Sequence, residues 1–264
     1  MSVIEPLPLA AAAAVLFLYA KGFTRLRGRR PDLARPGAAA AFCAGVLVAL
    51  LAVSRPFDEL ADTKLLTAHM AQHLLLGDIA PLLLVVGLRG PLAFFVVPPA
   101  LLRTAARTPL RHLLRVVLRP AVALSIWAAT MYAWHVPPLY DAAVANPALH
   151  VVEHASFLAA GLLVWTVILD PARSAGRRAV FAATVLVAGL PLSEVLIAAA
   201  PLYPHYAAVS ERPLGLTAAE DQARAGLLMM AEQIATLATA AALLLWSHVE
   251  AVADYPAADR GRPG

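Results

Sequence analysis

One cysteine, Cys43, stands among 264 residues. A disulfide framework and a zinc site built from several thiolates are therefore excluded within one chain. Charge is scarce as well: Asp, Glu, Lys and Arg make up 14% of the chain, where a soluble domain carries about 25%. The chain lacks the polar surface that a water-facing fold needs. Hydrophobic residues make up 61%, against about 45–50% in soluble domains. The composition implies an all-α, polytopic membrane bundle. Its 21 prolines fit that class, because neighbouring groups in a membrane bundle re-satisfy the carbonyls that a proline frees.

Crossing the hydrocarbon core takes about 20 apolar residues. Seven segments qualify, near 4–20, 37–54, 65–87, 119–136, 148–169, 178–200 and 224–247. The leader "MSVIEP" has Glu5 and no basic residue, unlike the basic start of a signal peptide, so the first segment is expected to be a retained span. "PLAFFVVPPALL" is too short and too proline-broken to cross, and is expected to lie at the interface or enter partway. The chain is expected to be a single integral-membrane domain with a polar tail over 248–264.

The loops set an orientation. Lys and Arg collect on the cytoplasmic side of a membrane protein. Of the 21 here, 17 fall after spans 1, 3, 5 and 7, including Lys21, Arg29, Arg89, Arg111, Arg177 and Arg260. The alternate loops hold four: Arg55, Lys64, Arg212 and Arg224. This bias predicts an outside N-terminus and a cytoplasmic C-terminus. It also accounts for the net charge of +4 without a nucleic-acid partner.

With that orientation, five histidines from three consecutive spans share the outer membrane layer. His69 and His73 open span 3, His135 closes span 4, and His150 and His154 open span 5. His205 is in the last outer loop. His69/His73 and His150/His154 are each four apart, so each pair shares a helix face. Neutral imidazole suits copper, zinc, iron and nickel. Met229 and Met230 in span 7 lie at a comparable depth, and thioether sulfur favours Cu(I). Adjacent residues point about 100° apart on a helix, so one of the two is expected to face the site. The bland alternative is packing: polar residues in membrane helices often serve as interhelical glue, and methionine fills gaps. Five histidines in one layer, four of them in i,i+4 pairs, favour a site, since ionisable groups inside spans mark function by default.

Metal-bound histidines usually donate their second N–H to a carboxylate or carbonyl. Asp78, Glu153 and Glu194 are the candidates for that supporting role; the alternative for each is a paired or neutral carboxyl linking helices. Cys43 falls in the inner half of span 2 and is expected to be packing.

The segments "HMAQHLLLGDIAPLLLVVG", "WHVPPLYDAAVANPALHVVEHASFLAAGLLVW" and "DQARAGLLMM" resemble the signature segments of the CtaG-type multi-span cytochrome c oxidase assembly factors. The resemblance covers spans 3 to 7. It implies a seven-span protein of the bacterial cytoplasmic membrane, needed for maturation of a haem-copper oxidase through copper delivery. It carries His69, His73, His135, His150 and His154 over as metal-binding residues. Expected partners are oxidase subunits, the lipid bilayer and an extracytoplasmic copper donor, with a homodimer as a further option. The chain departs from the family at "LLMMAEQ", which has no tryptophan after the methionine, and at "VWTVILDP".

Two other functions compete with a non-enzymatic copper protein. "HVVEH" matches H-x-x-E-H, the inverted zinc-peptidase motif, with Glu220 or Glu232 as a downstream third ligand. That function leaves His69, His73 and His135 without a role. A haem-binding membrane cytochrome would use histidines of facing helices as axial ligands. The i,i+4 pairs count against it, because axial ligands approach from opposite sides of the ring.

Overall fold

The computed structural model describes residues 6–253 except 89 and 98. Residues 1–5, Arg89 and 254–264 with Arg260, and hence most of the expected polar tail, lie outside the described residues. All regular structure among the described residues is helical. Among the described residues, five helices are long and apolar enough to cross a membrane, and the number reaches seven if each of two bent pairs counts as one span. The chain is thus a multi-pass membrane protein.

The five are α1 (Pro6–Arg29), α4 (Leu66–Gly87), α10 (Pro147–Ile168), α11 (Ala175–Ala198) and α13 (Ala218–Trp246). The first bent pair is α2 (Pro36–Ala52) with α3 (Phe57–Thr63), at 46°. The second joins α7 (Thr108–Val117) to α8 (Pro120–Trp134), at 75°. Between them lie α5 (Leu92–Val96) and α6 (Pro99–Ala105), both too short to cross, as expected for "PLAFFVVPPALL". Two connections between spans carry α9 (Pro137–Ala145) and α12 (Pro204–Ala207).

Proline sets the punctuation. A residue before proline is pushed out of the helical region, and proline itself suits the first helical position. Arg119, Val136 and Asn146 all have extended backbones, with ψ of 133°, 121° and 108°. Helices α8, α9 and α10 accordingly begin at Pro120, Pro137 and Pro147. The predicted span 119–136 is 15 residues of helix, about 22 Å at 1.5 Å per residue, which is short of a 30 Å core without its bent partner.

Helix α1 runs past the expected end at 20 to Arg29, carrying Lys21, Arg25, Arg27 and Arg29. Long basic side chains let a helix continue into the headgroup layer, and cations suit a helix C-terminus. Helix α13 begins six residues before the expected 224, because Thr217 and Glu220 form a reciprocal capping box. Hydropathy does not register that polar first turn.

Helix α4 is central: it packs on α2, α3, α10 and α13. It carries a π-helical turn at Leu75–Ile79, and α13 carries another at Ile234–Ala238. Cys43, expected as packing, is exposed on α2.

Candidate metal centre

Three helix beginnings and one helix end converge at one end of the bundle. Leu65, before α4, offers no side-chain cap. The carboxylate of Asp221 on α13 does this work from across the bundle. It accepts bonds from the backbone N–H of Leu66 (2.8 Å) and Thr67 (3.0 Å) and from the Thr67 hydroxyl (2.7 Å). A carboxylate there satisfies two orphan donors and faces the positive end of the helix dipole. The first turn of α4, which carries His69, is thereby fixed, and His73 follows one turn later.

Helix α10 caps itself: Asn146 Oδ1 accepts from the N–H of Ala148 (3.0 Å) and Leu149 (3.3 Å). His150, Glu153 and His154 follow in its first two turns. Helices α4 and α10 meet at Gly77 and Gly161. A Cβ on Gly161 would overlap the Gly77 carbonyl and crowd the Pro81 ring. Small residues let membrane helices approach closely, and here they bring the two histidine pairs face to face.

The imidazoles pack together. Ring centroids are 4.3 Å apart for His69/His73, 5.3 Å for His69/His150, 4.0 Å for His150/His154 and 5.7 Å for His73/His154. Glu153 is fully buried among them. Its oxygens lie 3.5 Å from His73 Nε2 and 3.9 Å from His150 Nε2. Asp62, on α3, lies 3.7 Å from His69 Nδ1 and 3.6 Å from His150 Nε2. Two groups bring their ligand atoms within 4.8 Å of one another: His69, His150 and His154, and His69, His73 and Glu153.

The hydrogen bonds assign the tautomer of His69. Tyr206 donates its hydroxyl proton to the Ala61 carbonyl at 2.6 Å, so its oxygen accepts from His69 Nδ1–H at 3.1 Å. Burial holds the Tyr206 phenol well above the ordinary tyrosine range, which keeps that proton in place. His69 Nε2 is left as a bare lone pair directed into the cluster. An outer partner on one ring nitrogen, fixing the other for a metal, is the usual support of a metal-binding histidine.

Several donors in the cluster have no hydrogen-bond partner within the described protein. They are Nε2 of His69, His150 and His154, both ring nitrogens of His73, and both oxygens of Glu153. A buried polar group left unsatisfied costs about 1–3 kcal/mol. A cation drawing on these lone pairs removes that cost for several groups at once. Imidazole and carboxylate donors at this spacing fit a copper or zinc ion.

The other expected residues are placed differently. His135 ends α8 and belongs to neither ligand group. Its Nδ1–H donates to the Met131 carbonyl at 2.7 Å, and its Nε2 lies 3.3 Å from Met70 Sδ. Met229 is buried and lines a cavity below the histidines, whereas Met230 is half-buried. Glu194 is exposed on α11, because the neighbouring Ser193 takes the inward position. Asp78 sits apart from the histidines: it accepts from Trp165 Nε1–H and from the Thr236 hydroxyl (2.8 Å). His205 donates from Nε2 to the Asp62 carbonyl at 2.8 Å and anchors α3.

Asp62, Tyr206, Asp221 and Met70 were not singled out by sequence. The first three lie in or beside polar connections where such residues are common, and Met70 looks like packing. Only Met70 carried a usable signal, its place between His69 and His73.

A family model described as cytochrome c oxidase caa3 assembly factor (Caa3_CtaG) matches residues 17–251. No curated protein and no solved structure matches the chain.

Proposed function

For a chain that belongs to the cytochrome c oxidase caa3 assembly factor family, we propose a non-enzymatic role in which the histidine cluster binds copper and supports its insertion into the oxidase. The observation that carries this proposal is the buried cluster of unsatisfied donors from α4 and α10. Both ligand groups draw on His69, whose Nδ1 is engaged with Tyr206. One ion can therefore use His69 Nε2 at a time, which favours a single ion with a choice of neighbouring ligands.

Such a choice suits delivery. Imidazoles and a carboxylate hold copper without a set of thiolates, and spare donors beside the ion permit stepwise ligand exchange. With the N-terminus outside, the cluster faces the extracytoplasmic side of a bacterial cytoplasmic membrane. There it would take copper from an extracytoplasmic donor and meet oxidase subunits.

The geometry gives less support to the competitors. A zinc peptidase built on "HVVEH" needs a third ligand downstream, but Glu220 is held by the Thr217 cap at 2.8 Å and Glu232 lies deeper, beside the cavity that Asp78 also lines. A haem needs axial ligands on opposite faces of a broad ring, whereas these imidazoles pack against one another at 4.0–6.3 Å.

The test is oxidase maturation in cells that lack the chromosomal copy and carry either wild type or His150→Ala/His154→Ala. The variant is expected to insert normally and yield oxidase with reduced copper content, recovering in excess copper. Full copper content at limiting copper would overturn the proposal.

A further inference from the structure

Below the histidine cluster, α4, α8, α10, α11 and α13 enclose a cavity of about 30 Å³. A buried water needs roughly 10–15 Å³ by the same kind of measure, so this space exceeds a packing defect. Three methionines, Met70, Met131 and Met229, line it together with His73 and His135. Methionine is ordinary packing material, and its presence alone assigns nothing.

The orientation of His135 changes the weight of those sulfurs. Its Nδ1 faces the Met131 carbonyl, an acceptor, so that nitrogen carries a proton. In the neutral ring the other nitrogen, Nε2, is then a bare lone pair. It points at Met70 Sδ, 3.3 Å away, and a thioether has no proton to give. Two Lewis bases thus face each other with no hydrogen between them. Tyr203 holds this arrangement by donating to the His135 carbonyl at 3.2 Å. His73, buried and without a hydrogen-bond partner on either ring nitrogen among the described residues, stands between this chamber and the outer cluster.

We infer that the chamber is a second metal site, for a soft monovalent ion of the Cu(I) class, held by Met70 Sδ and His135 Nε2 with Met229, which lines the same cavity, as a further ligand. Thioether with imidazole is the donor set that selects Cu(I) over harder ions. His73 is shared by the two sites: its Nε2 is 3.5 Å from Glu153 in the outer cluster, and its ring is 6.1 Å from that of His135. An ion arriving as Cu(I) passes from one to the other by exchanging ligands on His73, with no change of oxidation state. That transfer rests on the copper role proposed above; the site itself does not.

The test uses Ag(I), a redox-inert probe of the same class, titrated into full-length protein in detergent, every protein carrying Cys43→Ser because the exposed Cys43 thiol would bind Ag(I) itself. The comparison is wild type, Met70→Leu/Met229→Leu and His150→Ala/His154→Ala. Leucine for methionine conserves volume and is well tolerated, so the first variant remains folded, as its thermal midpoint checks. It is expected to lose one Ag(I) per chain and the sulfur neighbour in X-ray absorption of the Ag(I)-loaded protein. Met70→Leu alone should weaken that ion by at least tenfold. The His150→Ala/His154→Ala variant keeps the sulfur-bound ion. Unchanged stoichiometry and no sulfur scatterer in wild type would overturn the second site, leaving the methionines as packing. If only the histidine variant behaves like wild type, the outer site fails and the chamber stands.

Discussion

Removing the Asp221 carboxylate should loosen the proposed metal site from a distance. Asp221→Ala deletes the acceptor of the Leu66 and Thr67 backbone N–H groups, at 2.8 and 3.0 Å. Hydrogen bonds to a charged group contribute about 1.5–3 kcal/mol each, so the two together give about 3–6 kcal/mol. Water near the membrane surface can replace part of this, which places the expected cost at the lower end, about 3 kcal/mol. The damage falls on the first turn of α4, where His69 sits. If that turn frays and must re-form for binding, copper affinity falls by on the order of a hundredfold, since each 1.4 kcal/mol is tenfold. Asp221→Asn keeps one oxygen but sets its NH₂ against a backbone N–H, so about half the loss is expected. The assay is copper competition against a chelator, beside thermal unfolding in detergent. An Asp221→Ala protein that binds copper within twofold of wild type would refute the claim that this cap positions His69.

Other predictions follow from the same geometry. Tyr206→Phe removes the acceptor for His69 Nδ1–H and is expected to weaken metal binding by about 10–100-fold, as loss of such outer partners typically does; chelator competition reads this directly. Gly161→Val drives side-chain atoms into the Gly77 carbonyl and Pro81, and overpacking of this kind costs about 1–3 kcal/mol; a lowered thermal midpoint with lost copper checks that α4 and α10 must touch. Glu194→Gln, at an exposed position, should leave copper content unchanged, and a loss would return Glu194 to the site. A C-terminal tag should resist external protease in intact cells, and ready cleavage would reverse the orientation drawn from the basic loops.

The two histidine pairs that the structure brings together were legible in the spacing because each pair is local. The i,i+4 pairs at 69/73 and 150/154 determine which side chains share a face, and Asn146-Pro147 marks the start of α10 within one residue. The position of His135 at the end of its helix follows from Pro137, which holds Val136 in an extended conformation. The supporting residues were not legible for a physical reason: their contacts join distant parts of the chain. Asp221 caps a helix 155 residues away, and Tyr206 meets His69 across 137. Nothing in a local pattern distinguishes such an aspartate from one that is solvated. Glu194 is exposed, and depth in a span says nothing about which way a residue points. Helix bends likewise depend on packing, so the 75° turn before α8 was missed even though Pro120 marked its position.

The most direct measurement of the central claim is the metal content of detergent-purified protein loaded with copper, wild type beside His69→Ala/His73→Ala. The account predicts copper bound by wild type and the histidine-cluster ion lost in the variant, with helical content unchanged. Equal copper in the two proteins, or none in wild type, would contradict it and leave the buried imidazoles as elements of packing or proton handling.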